Sequence, residues 1–135
     1  MNSNDTPRGI RNNNPGNVRL GTAWEGLVDQ INGVADPAFC QFIDAEHGIR
    51  AINHILNSYA ARGVVALHDI ISTWAPASEN DTEAYIAAVA SIMDVAPTDT
   101  ITPDLRAQLI AAIIEHENGQ QPYDMATIEA AMTLI

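Results

Sequence analysis

At residue 44 the chain changes the rule by which its apolar residues are spaced, and that change decides most of what it can fold into. From Asp44 onward, apolar residues recur every three or four positions, the spacing of helices with one buried face. Asp44 can cap a helix running to about Arg62, with Gly63 as its left-handed stop; Ile49, Ile52, Ile55, Leu56 and Tyr59 form its apolar face. A shorter helix should carry Leu67, Ile70, Ile71 and Trp74 and end before Pro76. Ser78 or Asp81 opens a third, with Tyr85, Ile86, Val89 and Ile92 inward. Thr102-Pro103-Asp104 combines a cap, a proline at the first position and an acid in the first turn. The helix it opens carries Leu105, Leu109, Ile110, Ile113 and Ile114 and stops at Gly119. Asp124 opens a last one through Ile128 and Met132.

The first 44 residues obey no such period. Gly9, Gly16, Gly21, Gly26 and Gly33 alternate with Asn12, Asn13, Asn14, Pro15 and Asn17, which is turn chemistry. Residues 10–43 read as loops plus a small hairpin region, with Phe39-Cys40-Gln41-Phe42 as a short strand. With 135 residues the chain suits one domain, residues 1–135. The expected fold class is mainly α (α+β): about five helices and a small irregular or β lobe near the N-terminus.

Charge excludes several partners. The net charge is −11, and all six basic residues are Arg. Residues 1–19 hold three Arg against one Asp, a net of +2, and the remainder holds three Arg against 16 acids, a net of −13. A field of that sign opposes binding to nucleic acid and to an anionic membrane. There is no apolar run long enough to span a bilayer and no secretory h-region at the start. Cys40 stands alone between Phe39 and Phe42, which suggests a small buried thiol. His47, His54, His68 and His116 show no metal-ligand spacing, so neither metal nor cofactor is expected.

Four clusters could carry chemistry. Arg8-Gly-Ile-Arg11-Asn-Asn-Asn14-Pro-Gly-Asn17-Val-Arg19 joins amides and three guanidinium groups, which suit sugar hydroxyls, N-acetyl carbonyls and carboxylates. An Asn-rich turn with solvated arginines is the plain alternative. Trp24-Glu-Gly26, with Asp29 and Asp36 following, offers a platform for a sugar ring or a lid on the core. In Trp74-Ala-Pro-Ala-Ser-Glu79-Asn80-Asp81-Thr82 through Tyr85, a capped helix start is the plain alternative and accounts for Asp81 and Thr82, although capping does not require Trp74 or Tyr85. Finally, Glu115-His116-Glu117-Asn118-Gly119 and Tyr123 end an apolar helix. A carboxylate at a helix C-terminus opposes the macrodipole, an arrangement suited to a general acid. A solvated acidic helix end is the alternative. Glu117 abuts the glycine stop and can look into a cleft, whereas Glu115 points to another face.

Residues 8–19, W-x-G (24–26), D-P-A-F-x-x-F (36–42), G-I-R-A (48–51), W-A-P-x-x-E-N-D-T-x-x-Y (74–85) and H-E-N-G-x-x-P-Y (116–123) together resemble a family of small phage lysozyme-like proteins. Its members are endolysins or virion-associated cell-wall hydrolases, some known only as phage structural proteins. The order N-N-P-G-N-V-R, W-E-G, F-C-Q-F, W-A-P-x-x-E-N-D-T-x-x-Y is also similar to bacterial glucosaminidases. The piece like their catalytic helix, A-I-I-E-H-E-N-G (112–119), comes last here, as in a circular permutation.

The resemblance implies a peptidoglycan glycosidase, either muramidase or glucosaminidase, acting on glycan strands. Glu117, or Glu115, matches the family's catalytic acid. Asp36, Asp29 and Glu79 are candidates for a second carboxylate. Arg11, Asn14, Asn17, Arg19, Trp24, Glu79, Tyr85, Asn118 and Tyr123 would bind substrate. The alternatives are a lytic transglycosylase using the same Glu, and a non-catalytic virion or glycan-binding protein. A monomer is expected, either contacting other proteins of the phage particle or passing from the host cytoplasm to the wall through a holin.

Overall fold

The computed structural model describes residues 6–28, 36 and 38–134. Among these residues the helices are α1 (Arg8–Arg11), α2 (Ala45–Ala61), α3 (Leu67–Trp74), α4 (Thr82–Met93), α5 (Arg106–Asn118) and α6 (Met125–Met132), with a 3₁₀ turn at Pro103–Leu105. The punctuation read from the sequence sets most of these bounds. Asp44, Asp81 and Asp124 each accept a backbone N–H from the first turn of the helix they precede. Gly63 and Gly119 take φ of 80° and 71° past the ends of α2 and α5, a region that disfavours any residue with a Cβ.

Helix α5 is the centre of the body, packed against α4, α6, α1 and α2. Leu109, Ile110, Ala112, Ile113 and Ile114 are almost fully buried, so apolar residues cover more than one face, as a central helix requires. Around them lie Ile49, Ile52 and Leu56 of α2, Leu67, Ile70 and Ile71 of α3, Ile86 and Val89 of α4, and Ile128 of α6. Each such side chain contributes about 1.5–3 kcal/mol. A second cluster of Val18, Cys40, Phe42 and Ala51 anchors the N-terminal lobe, and Trp74 packs against both clusters. The described residues therefore form one mainly helical body.

Three expectations need correction. Ile92 is 44% exposed rather than inward: it shares the face of α4 that carries Tyr85 and Val89, but it sits in the last turn and borders an open hollow with Glu115, His116 and Gly119. The first turn of α5 is the 3₁₀ turn, and the Thr102 hydroxyl bonds Asp104 instead of capping a backbone N–H. Among the described residues the N-terminal lobe contains isolated antiparallel bridges, Arg19 with Phe39 and Leu27 with Phe42, and no strand. Partners change every two or three residues: Leu20 N–H and Cys40 N–H pair segments 38–40 and 18–20, Phe42 N–H turns to the Asn12 carbonyl, and Val28 N–H and Ile43 N–H pair 41–43 with 26–28. No ladder can extend when the partner switches so soon. No helix is long and apolar enough to cross a membrane among the described residues.

Candidate active site

The last turn of α5 is tied to the loop after α1. The Asn118 amide donates to the carbonyls of Pro15 (2.8 Å) and Ile114 (2.9 Å), bridging loop and helix from a buried position. Asn14, fully buried, donates to the Val18 and Cys40 carbonyls and accepts from Val18 N–H, which folds the loop back on itself. Between them Asn17 adopts φ of 51°, a left-handed conformation that Asn tolerates better than most residues. This places the Asn17 side chain against the helix end, where Nδ2 donates to Glu117 Oε1 at 2.8 Å.

The other oxygen of Glu117 accepts from the Tyr85 hydroxyl, also at 2.8 Å. Tyr85 comes from α4 and is 2% exposed. Burial pushes its phenol well above the usual range, and the Glu117 carboxylate beside it pushes further in the same direction, so the hydroxyl keeps its proton. The His116 ring lies against the Tyr85 ring, with 3.9 Å between centroids.

Glu117 opens onto a cleft of about 270 Å³ between the lobe and the helices. Gly16, Asn17, Val18, Arg19 and Phe39 form the lobe side. Ile55 and Tyr59 of α2, Trp74 at the end of α3, and Ala75, Glu79 and Asn80 beyond it form the other. Arg19 Nη2 reaches Glu79 Oε1 at 3.6 Å. Its guanidinium also sits 4.8 Å from the centre of the Phe39 ring, which Arg8 approaches at 5.1 Å. Glu115 is exposed and lines a separate hollow with His116, Gly119 and Ile92, on another face of α5.

Of the residues expected from the sequence, Asn17, Arg19, Glu79 and Glu117 meet in the cleft. Asn14 and Asn118 are buried struts instead, and Tyr85 lies behind Glu117 rather than along the cleft. Trp24 packs against the Val18–Phe42 cluster and Tyr123 against the main core. Arg11 is exposed and does not line the cleft. Asp36 is a turn-former. Its Oδ1 accepts from the N–H groups of Ala38 and Phe39, and its Oδ2 meets Asn12 and, at 3.0 Å, Arg8. These contacts, the Ala38 N–H foremost, hold its carboxyl below the usual carboxylate range. Asp29 lies outside the described residues.

Sequence reasoning missed Tyr59 and Ile55 as cleft residues, because both also fit the apolar face of α2. The phenol of Tyr59 was the available signal, since a half-buried hydroxyl needs an opening to water or a polar ligand.

No family model matches the sequence. Protein P5 of Pseudoalteromonas phage PM2 is 39% identical over 125 residues, an alignment spanning 89% of this chain and 76% of that protein. At that identity and coverage, the chain belongs to the family of Protein P5 of phage PM2.

Proposed function

We propose that the chain is a phage-encoded, lysozyme-like glycosidase of peptidoglycan in which Glu117 is the general acid. The observation that carries this reading is the carboxylate of Glu117, held on both oxygens at the wall of a cleft that a second carboxylate, Glu79, also lines. A pair of carboxyl groups flanking one bond is the machinery of glycoside hydrolysis. Trp74 and Tyr59 supply faces on which sugar rings stack. An irregular lobe set against a helical body, with the cleft between, accords with a lysozyme-like domain.

The hydrogen bonds hold Glu117 in place through a proton transfer. The Asn17 amide nitrogen can only donate, so Oε1 remains an acceptor. The Tyr85 hydroxyl can donate or accept, so it remains a partner of Oε2 as Glu117 gains and loses a proton. Glu117 then gives its proton to the glycosidic oxygen as the bond from the anomeric carbon breaks. Glu79 removes a proton from a water molecule whose oxygen joins the anomeric carbon, leaving a reducing end.

The Arg19–Glu79 pair favours a second reading of the same site. With Glu79 held by Arg19, the sugar's own C6 hydroxyl attacks the anomeric carbon. Its proton passes to the base left on Glu117, and a 1,6-anhydro end results, as in a lytic transglycosylase.

Purified protein incubated with peptidoglycan tests both. Turbidity loss with muropeptides in the mass spectrum supports a glycosidase, and a reducing or an anhydro end separates the two chemistries. Glu117→Gln should abolish product formation while Glu115→Gln remains active. Absence of product from the wild-type chain at high enzyme leaves a non-catalytic virion or glycan-binding protein, and full activity in Glu117→Gln removes the assigned acid.

A further inference from the structure

Arg19 is the cation among the residues that line the cleft, facing the carboxylates Glu79 and Glu117. Its placement is built into the lobe. Arg19 and Phe39 pair across an antiparallel bridge, which lays the guanidinium over the Phe39 ring at 4.8 Å. A guanidinium stacked this way keeps its N–H fork free for a planar anion. The anion it has now is a poor one. Arg19 and Glu79 are separated by 3.6 Å, well beyond the spacing of a tight guanidinium–carboxylate pair, and their side chains are 58% and 50% exposed. A pair so open to water contributes little. Arg8, on the same ring, differs: its Nε is 3.0 Å from an Asp36 carboxylate that is 9% exposed and fixed by backbone N–H groups. Arg8 is committed to the fold, and Arg19 is exchangeable.

We propose that Arg19 forms a carboxylate-binding subsite, so that the cleft selects an amino-sugar strand bearing a carboxylate over a neutral one, with the ligand's carboxylate replacing Glu79. This rests on the glycan reading above and names its substrate class. The exchange has a chemical consequence: Glu79, released from Arg19, becomes available to activate water. The carboxylate comes either from the lactyl group of a peptide-free muramyl unit or from a stem peptide attached to it.

The test is binding, measured by calorimetry on the full chain carrying Glu117→Gln so that nothing is turned over. Four ligands of equal sugar length are compared: a peptide-free muramyl tetrasaccharide, the same strand with its lactyl carboxyls amidated, a peptide-bearing strand, and chitotetraose. At least one carboxylate-bearing strand should bind about tenfold more tightly than the amidated strand and chitotetraose, and which of the two does so identifies the source. Arg19→Gln, checked by its melting curve, should erase that preference. Arg19→Lys should retain part of it, and Glu79→Gln should strengthen binding of the charged strand two- to threefold, roughly the worth of an exposed pair. Equal binding of charged and neutral strands, or a preference that survives Arg19→Gln, overturns the subsite and leaves the glycosidase reading standing. An Arg19-dependent preference in a protein that releases no muropeptides overturns the glycosidase reading alone. No binding of any strand overturns both.

Discussion

Asn17 and Glu117 lie 100 positions apart, yet the Asn17 amide donates to Glu117 Oε1 at 2.8 Å. The bond depends on a backbone conformation as well as a side chain, because Asn17 has φ of 51°. The two contributions are separable. Asn17→Gly keeps the left-handed turn and removes only the amide, so the melting temperature should change little while kcat on peptidoglycan falls about ten- to hundredfold through lost positioning. Asn17→Ala should match that loss in kcat and also destabilise the protein by about 1–2 kcal/mol, the cost of a Cβ in that conformation. Equal stability of the two variants would show that the turn carries no strain.

Tyr85→Phe keeps a buried ring of nearly the same shape and deletes one donor to Glu117. The expected loss is about 1–3 kcal/mol in chemical denaturation, together with a fall in kcat and little change in KM. A variant as active as wild type would show that Glu117 needs no support on Oε2.

The same tyrosine predicts an alkaline limit. Burial, foremost, raises the phenols of Tyr85, Tyr59 and Tyr123 in the folded protein. Unfolded tyrosine loses its proton near pH 10, whereas these phenols hold theirs in the native state. The unfolded state therefore binds fewer protons above about pH 10, and stability must fall as pH rises through that value. Melting temperatures recorded from pH 8 to 11 should show the decline, and Tyr85→Phe should make it shallower.

Two carboxylates once equal in standing should separate on mutation. Asp36→Asn should cost about 1–2 kcal/mol of stability by weakening a turn and the Arg8 contact, with kcat preserved. Because its folded carboxyl titrates below the ordinary range, the stability that ionised Asp36 contributes is complete above about pH 4 and disappears as pH falls further. Glu79→Gln should show the reverse pattern: unchanged melting and reduced hydrolysis.

Gly48 on α2 faces the loop that carries Asn13 and Pro15. A Cβ there would overlap the Asn13 carbonyl oxygen and lie 3.0 Å from Pro15 Cδ. Neither neighbour can move without shifting the loop, so Gly48→Ala should destabilise by about 1–3 kcal/mol and lower activity with it. Wild-type melting in this variant would mean that the loop gives way freely.

The helical body was legible because its boundaries are written in single residues. Asp44, Asp81 and Asp124 cap where their side chains reach a backbone N–H, and Gly63 and Gly119 stop helices where φ turns positive. Helix α1 was not legible, since a four-residue turn containing Gly9 has no side-chain cap and no period. The site was half legible. Glu117 stood out by its place at the end of an apolar helix. Asn14, Asn17 and Asn118 look alike in a sequence, but two are buried struts and one reaches the cleft. That distinction arises from the path of the loop and from a partner 100 residues away. Tyr85 satisfied the inward period of α4, and the same period gave no hint that its hydroxyl meets a carboxylate.

Cys40 is fully buried in the lobe, where its thiol hydrogen points to the Arg19 carbonyl at 3.4 Å. The paired segments around it run for only two or three residues before changing partner. The lobe therefore has short cooperative units, while the core around α5 is continuous. A thiol reagent can reach Cys40 only when those units open, so the rate of labelling in the native protein is a clock for lobe opening. Compared with the rate of global unfolding, it reports directly how independently one wall of the cleft breathes.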